Sequence, residues 1–109
     1  LITELEKVMT KHQFHKNTNI KLQDIATELS VSKHQLSQLL NDNLGKSFAL
    51  FINEYRIEEA KQLLKENSNY TLEAIGFESG FSSKSTFYAT FKKLIGKTPA
   101  EYKKQSSES

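Results

Sequence analysis

The chain has no cysteine, no tryptophan and a single proline in 109 residues. Without cysteine there is neither a disulfide framework nor a thiolate zinc site, and a reducing compartment, the cytoplasm, is the expected location. The four glycines, Gly45, Gly76, Gly80 and Gly96, form no nucleotide-binding pattern and read as helix ends and close packing points. No apolar run approaches the ~18 residues of a spanning helix, so no membrane contact is expected of this segment. Catalytic sets are equally scarce. There is no thiol, no grouping of serine, histidine and acid, and no pair of carboxylates on an inward face, so an enzyme is not expected and no cofactor is implied. His12 and His15 have a spacing that can hold a metal, but no third ligand accompanies them, and solvated histidines are the plainer reading.

Neither sign of charge dominates, since the formal net charge is +2, yet the charge is unevenly spread. Residues 1–43 carry five lysines against five acids, residues 44–79 are net acidic, and residues 80–109 hold six lysines against Glu101 and Glu108. A basic last third suits a surface facing phosphates, although a solvated lysine-rich helix face has the same composition.

What the chain has in abundance is helical periodicity. Leu1, Leu5, Val8 and Met9, then Leu22, Ile25, Ala26 and Leu29, then Leu36, Leu39 and Leu40, recur at spacings of three and four. Leu50, Phe51, Tyr55, Ile57, Ala60, Leu63 and Leu64 continue the pattern over a longer stretch. The expected fold is all-α, with about seven helices near 2–14, 22–29, 33–43, 48–65, 72–79, 83–94 and 99–104. Ser32 with Gln35, Ser47, Ser82, and Thr98 before Pro99 supply the start signals. Phe77, Phe81, Phe87, Phe91 and Tyr102 are expected to fill the core. The Ser/Glu-rich residues 105–109 read as a disordered tail.

The decisive feature is an internal repeat. Leu22-Gln-Asp-Ile25-Ala26 through Val31-Ser32 matches Leu72-Glu-Ala-Ile75-Gly76 through Phe81-Ser82, and after one inserted residue Leu36 pairs with Phe87 and Leu40 with Phe91. Leu44-Gly45-Lys46-Ser47 likewise pairs with Ile95-Gly96-Lys97-Thr98. Each copy is a short helix, a tight turn and a second helix, the plan of a homeodomain-like helix-turn-helix. The chain is thus expected to form one DNA-binding domain, with helix-turn-helix units at 1–46 and 67–104 and a stiff linker helix at 47–66 that fixes their relative placement.

In such a unit the second helix enters the major groove and presents polar side chains from its N-terminal part. With Leu36, Leu39 and Leu40 inward, Lys33, His34, Ser37, Gln38 and Asn41 are left to face out. His34, Gln38 and Asn41 can bond purine edges, with Gln38 or Asn41 able to grip adenine in a bidentate way, Lys33 can serve guanine or a phosphate, and Asn41 is also a candidate phosphate contact. In the second copy Lys84, Ser85, Tyr88, Ala89 and Lys92 face out. Lys84 suits a base or a phosphate, Ser85 and Tyr88 a phosphate, sugar or thymine methyl, and Lys92 a phosphate. The hydroxyls of Ser32, Ser47, Ser82 and Thr98 are first of all helix caps, with phosphate contact as an added duty alongside Lys46 and Lys97. Arg56 reads as a scaffold residue bonding Glu59 or Asp24, with DNA contact as the sharper alternative.

Ile75-Gly76-Phe77-Glu78-Ser79-Gly80-Phe81-Ser82, then Phe87, Phe91-Lys92-Lys93, Gly96-Lys97-Thr98-Pro99 and Tyr102, resemble the second-unit signature of the AraC/XylS family of bacterial transcription activators. Asn53, Arg56, Ala60, Leu63 and Leu64 are similar to its linker-helix pattern, so that the resemblance runs from Leu22 to Lys103. It implies seven helices, two recognition helices in successive major grooves of promoter DNA, and activation through contact with RNA polymerase. Base-reading positions carried over from it fall on His34, Ser37 and Gln38, and on Lys84, Ser85, Tyr88 and Ala89. Gln38 and Ala89 stand where that family often has arginine, which weakens guanine recognition at both and turns the second unit toward phosphate contact. Lys21 stands where a Ser/Thr cap is usual. The chain opens on Leu1, and a sensor region preceding it in the same polypeptide is expected. A helical protein-interaction module that engages RNA polymerase or a partner subunit, with little DNA affinity, is the alternative function.

Overall fold

The computed structural model describes residues 1–66 and 69–108. The expected start of the second unit, residue 67, and the last tail residue, 109, lie outside them. Seven α-helices and no strand occur among the described residues: α1 (Ile2–His12), α2 (Leu22–Leu29), α3 (Lys33–Leu39), α4 (Phe48–Lys65), α5 (Leu72–Glu78), α6 (Lys84–Ile95) and α7 (Pro99–Glu108). They fall into two compact units, Leu1–Ile52 and Asn53–Ser109, whose boundary lies inside α4.

In the first unit the heptad-like apolar positions do what their spacing dictates. Leu5 and Met9 of α1, Ile25 and Ala26 of α2, and Leu36 of α3 are buried. The helix expected over 2–14 stops at His12, because Gln13 turns left-handed (φ 49°) and donates its N–H to the Met9 carbonyl; a 3₁₀ turn, Phe14–Lys16, follows. His15 in that turn is buried, contrary to the solvated reading, while His12 stacks on Phe14 at 5.0 Å and lies 3.5 Å from the Glu28 carboxylate. The helix expected over 33–43 is α-helical only to Leu39. The five residues Leu40–Leu44 form a π turn that ends on left-handed Gly45, consistent with the weak helix preference of its Asn-Asp-Asn sequence.

The second unit is built around aromatic rings. Phe81, Phe87 and Phe91 are buried with Ile57, Ala60, Leu64 and Ile75. Phe87 lies 5.3 Å from Phe81 and 5.9 Å from Phe91, and Tyr102 meets Phe91 edge-on at 5.5 Å, geometries that aromatic quadrupoles favour. Phe77 departs from the expected core: it is 50% exposed. Leu72, Ile75, Gly76 and Ser79 turn toward the interior, and Phe77, two residues after Ile75, lies about 200° round the helix on the outside. Arg56 holds its guanidinium 5.9 Å above the Phe81 ring, and burial pulls its pKa below the ordinary value.

The repeat is visible in the backbone. Both turns close with the same hydrogen bond, from Val31 N–H to the Ala26 carbonyl and from Phe81 N–H to the Gly76 carbonyl, each 3.0 Å. The left-handed residue this requires is Ser30 (φ 58°) in the first copy and Gly80 (φ 107°) in the second. Gly76 is demanded by packing, because a Cβ there would lie 2.7 Å from Cδ2 of Phe87. In the first copy these places are held by Ala26 and Leu36, a methyl opposite a side chain smaller than phenylalanine. The C-terminal segment corrects the expected disordered tail: α7 runs on to Glu108, with Lys97 bonded to Gln105 on its second turn.

Candidate nucleic-acid interface

The first candidate reader is α3, pinned by buried Leu36 and followed by buried Leu40. Its start is fixed by a reciprocal cap, in which Ser32 Oγ accepts the Gln35 N–H (3.0 Å) and Gln35 Oε1 accepts the Ser32 N–H (2.8 Å). With one face fixed, Lys33, His34 and Gln38 are exposed and Ser37 is half-buried. Asn41 is exposed but belongs to the π turn, not to the α-helix. The preceding α2 begins without a side-chain cap from Lys21, an ammonium having no lone pair to offer; Asp24 instead accepts the Lys21 N–H at 2.9 Å.

The second candidate reader, α6, is pinned by Phe87 and Phe91, both fully buried. Lys84, Ser85, Ala89 and Lys92 are exposed. Tyr88 is half-buried, its ring edge-on to Phe87 at 5.7 Å, and the Lys84 ammonium lies 5.4 Å above it. Core packing therefore orients Tyr88, and Tyr88 in turn draws in the Lys84 cation.

Among the expected phosphate contacts, Ser47 caps α4 by accepting the Leu50 N–H (3.2 Å), and Thr98 caps α7 by accepting the Glu101 N–H (3.1 Å). Glu101 accepts the Thr98 N–H in return, which holds its carboxyl below the usual range. Lys46 and Lys97 are half-buried. Ser82 requires correction: it is exposed and caps nothing, and Ser83 is the cap of α6, accepting the Thr86 N–H at 3.1 Å and donating to Thr86 Oγ1 at 3.0 Å. The repeat carried the signal, since the same 51-residue offset that joins Leu36 to Phe87 joins Ser32 to Ser83.

Comparison with known proteins agrees with this fold. The crystal structure of a Chromobacterium violaceum transcriptional regulator, described as an AraC-type DNA-binding domain-containing protein, superposes with a TM-score of 0.83 at 29% identity, over 96% of this chain and 90% of that one. A family profile described as a helix-turn-helix domain matches residues 25–105. This chain belongs to the AraC-type helix-turn-helix family of DNA-binding transcription regulators. A relative within it, the probable transcription factor PqrA of Proteus vulgaris, is 32% identical over 95 residues, covering 87% of this chain and 77% of PqrA. An uncharacterized HTH-type transcriptional regulator of Staphylococcus aureus is also 32% identical, but this AraC-type chain spans only 12% of its length. Among the described residues no helix is long and apolar enough to cross a membrane.

Proposed function

We propose that this AraC-type chain binds duplex DNA sequence-specifically as the output module of a transcription regulator, with α3 and α6 as its two recognition helices. The observation that carries the reading is the repeated second helix, anchored by a buried pair (Leu36 and Leu40, Phe87 and Phe91) with a polar or cationic opposite face. In α3, His34, Ser37 and Gln38 contact base edges, with Lys33 between base and phosphate; in α6, Lys84, Ser85 and Tyr88 do so. Lys92 meets the phosphates, as do Ser32, Asn41, Lys46, Ser47, Lys97 and Thr98. Three of these, Ser32, Ser47 and Thr98, lie at helix starts, where free N–H groups favour anions. The bound DNA is a promoter, and the module activates transcription by touching RNA polymerase under control of a sensor region elsewhere in the polypeptide. The short share of the Staphylococcus aureus relative that the chain spans supports a place in a longer protein.

Phe77, half-exposed on α5, favours a second reading in which the fold docks on a protein partner and holds DNA weakly. Fluorescence anisotropy on a random-sequence duplex and on an enriched one, from about 50 to 200 mM salt, separates the two. DNA binding requires log K to fall linearly with log salt, at about −0.9 for each phosphate neutralised. A flat response, or an absence of binding, excludes the DNA reading.

A further inference from the structure

The outward face of α6 carries a restricted chemistry. Lys84, Ser85, Tyr88, Ala89 and Lys92 offer two ammonium groups, two hydroxyls and a methyl, with no carboxamide, carboxylate or guanidinium among them. The four base edges in the major groove do not meet this set equally. Adenine is gripped by the paired donor and acceptor of Asn or Gln, and the cytosine amino group is best received by a carboxylate; this face has neither. Guanine takes Arg or Lys, but Lys92 stands in the last turn, away from the N-terminal part that reaches the bases, and Lys84, the one cation near that part, shares its ammonium with the Tyr88 ring at 5.4 Å. The Ser85 hydroxyl can bond any of these edges and so selects none, which leaves the thymine 5-methyl group, met by apolar contact, alanine included, as the base-specific feature this face matches best.

Ala89 is placed for that contact. It is exposed, one turn after Ser85 and one turn before Lys92 on the same face, and next to Tyr88, whose ring is held by Phe87. We infer that the second unit selects thymine through its 5-methyl group, with Ala89 as the specificity-determining residue and Tyr88 closing one side of the methyl's pocket. The inference rests on the reading of α6 as a recognition helix. A short side chain at 89 lets the helix backbone approach the groove floor, and the neighbouring cations hold that approach through the phosphates.

The test uses the 109-residue chain and the duplex it enriches most from a random library. The second half-site is the one whose base preference His34→Ala leaves intact. Each thymine in both half-sites is replaced singly by deoxyuridine, which removes the methyl and nothing else, and affinities are measured by anisotropy. The expected result is a thymine in the second half-site whose replacement weakens binding about fourfold, the worth of one buried methyl-sized group. In Ala89→Gly, and in Ala89→Ser, which keeps the helix better, that duplex and its deoxyuridine counterpart bind alike. A second half-site without thymine, insensitivity to every replacement, or full sensitivity retained in both variants overturns the inference while α6 stands as a reader. If scrambling the whole second half-site changes nothing, α6 reads no bases and both readings fall.

Discussion

Replacing Gly76 by alanine places a methyl carbon 2.7 Å from Cδ2, 2.8 Å from Cγ and 3.0 Å from Cβ of Phe87, a side chain that is fully buried. Two effects compete. Alanine in a helix interior gains ~0.5–1 kcal/mol over glycine through the unfolded chain, whereas forcing a methyl into a packed core costs ~1–3 kcal/mol. Phe87 has no easy retreat, since Phe81, Tyr88 and Phe91 surround its ring at 5.3 to 5.9 Å. The cost wins, and Gly76→Ala is expected to destabilise the second unit by about 1–2 kcal/mol, a fall of roughly 5–15 °C in a melt of a unit this size. The first copy of the repeat supplies the control, because Ala26 and Leu36 occupy the matching places there. The double variant Gly76→Ala/Phe87→Leu recreates that pair, and its loss is expected to be smaller than the sum of the single losses by about 1–2 kcal/mol, a coupling typical of residues in contact. Thermal and urea unfolding followed by circular dichroism measures all four proteins. A Gly76→Ala chain as stable as the parent, or additive losses, refutes the steric account.

Three further outcomes follow from the same structure. Ser30→Gly relieves a left-handed serine and is expected to stabilise the first unit by up to about 1 kcal/mol, once the entropy of glycine is set against the strain; a destabilised variant in the same melts contradicts this. His34→Ala or Gln38→Ala should relax base preference at one half-site by ~1–3 kcal/mol, whereas Lys92→Ala should weaken all sequences alike and reduce the salt slope by about one; identical behaviour of the two classes in competition binding overturns the division of roles. Glu101, held below its ordinary 4.5 chiefly by the Thr98 backbone N–H, adds stability that is complete above that value and is lost as pH falls through the lower folded value. The Thr98 amide resonance should therefore move on acidification below about pH 4.5, and Glu101→Gln should abolish that movement; an unchanged titration in the variant contradicts the assignment.

Periodicity and repetition made most of the fold legible. Leu36, Leu40, Phe87 and Phe91 are buried where their spacing placed them, and the two turns close with the same hydrogen bond fifty residues apart. What escaped was decided by single residues. Ser82 and Ser83 are adjacent serines that satisfy the same cap preference, and only the position of the inserted residue distinguishes them. Phe77 has the residue type of the core, but the helical geometry turns it outward. The π turn after α3 reflects a contest between local preference and the Leu40 anchor, which composition does not resolve. Residues 105–108 continue a helix begun at Pro99, with Lys97 bonded to Gln105, and neither is visible in the Ser/Glu-rich composition of the tail alone. At the candidate readers, exposure could be anticipated from the inward face, but the Lys84–Tyr88 pairing emerged only with the ring held by Phe87.

The most direct test of the central claim is selection of bound sequences from a random duplex library with this chain. Two readers predict an enriched motif of two short elements separated by about one helical turn, ~10 base pairs, each weakened separately by changes in α3 or α6. A library that shows no enrichment after repeated rounds contradicts sequence-specific DNA binding, and a single-element motif contradicts the role given to α6.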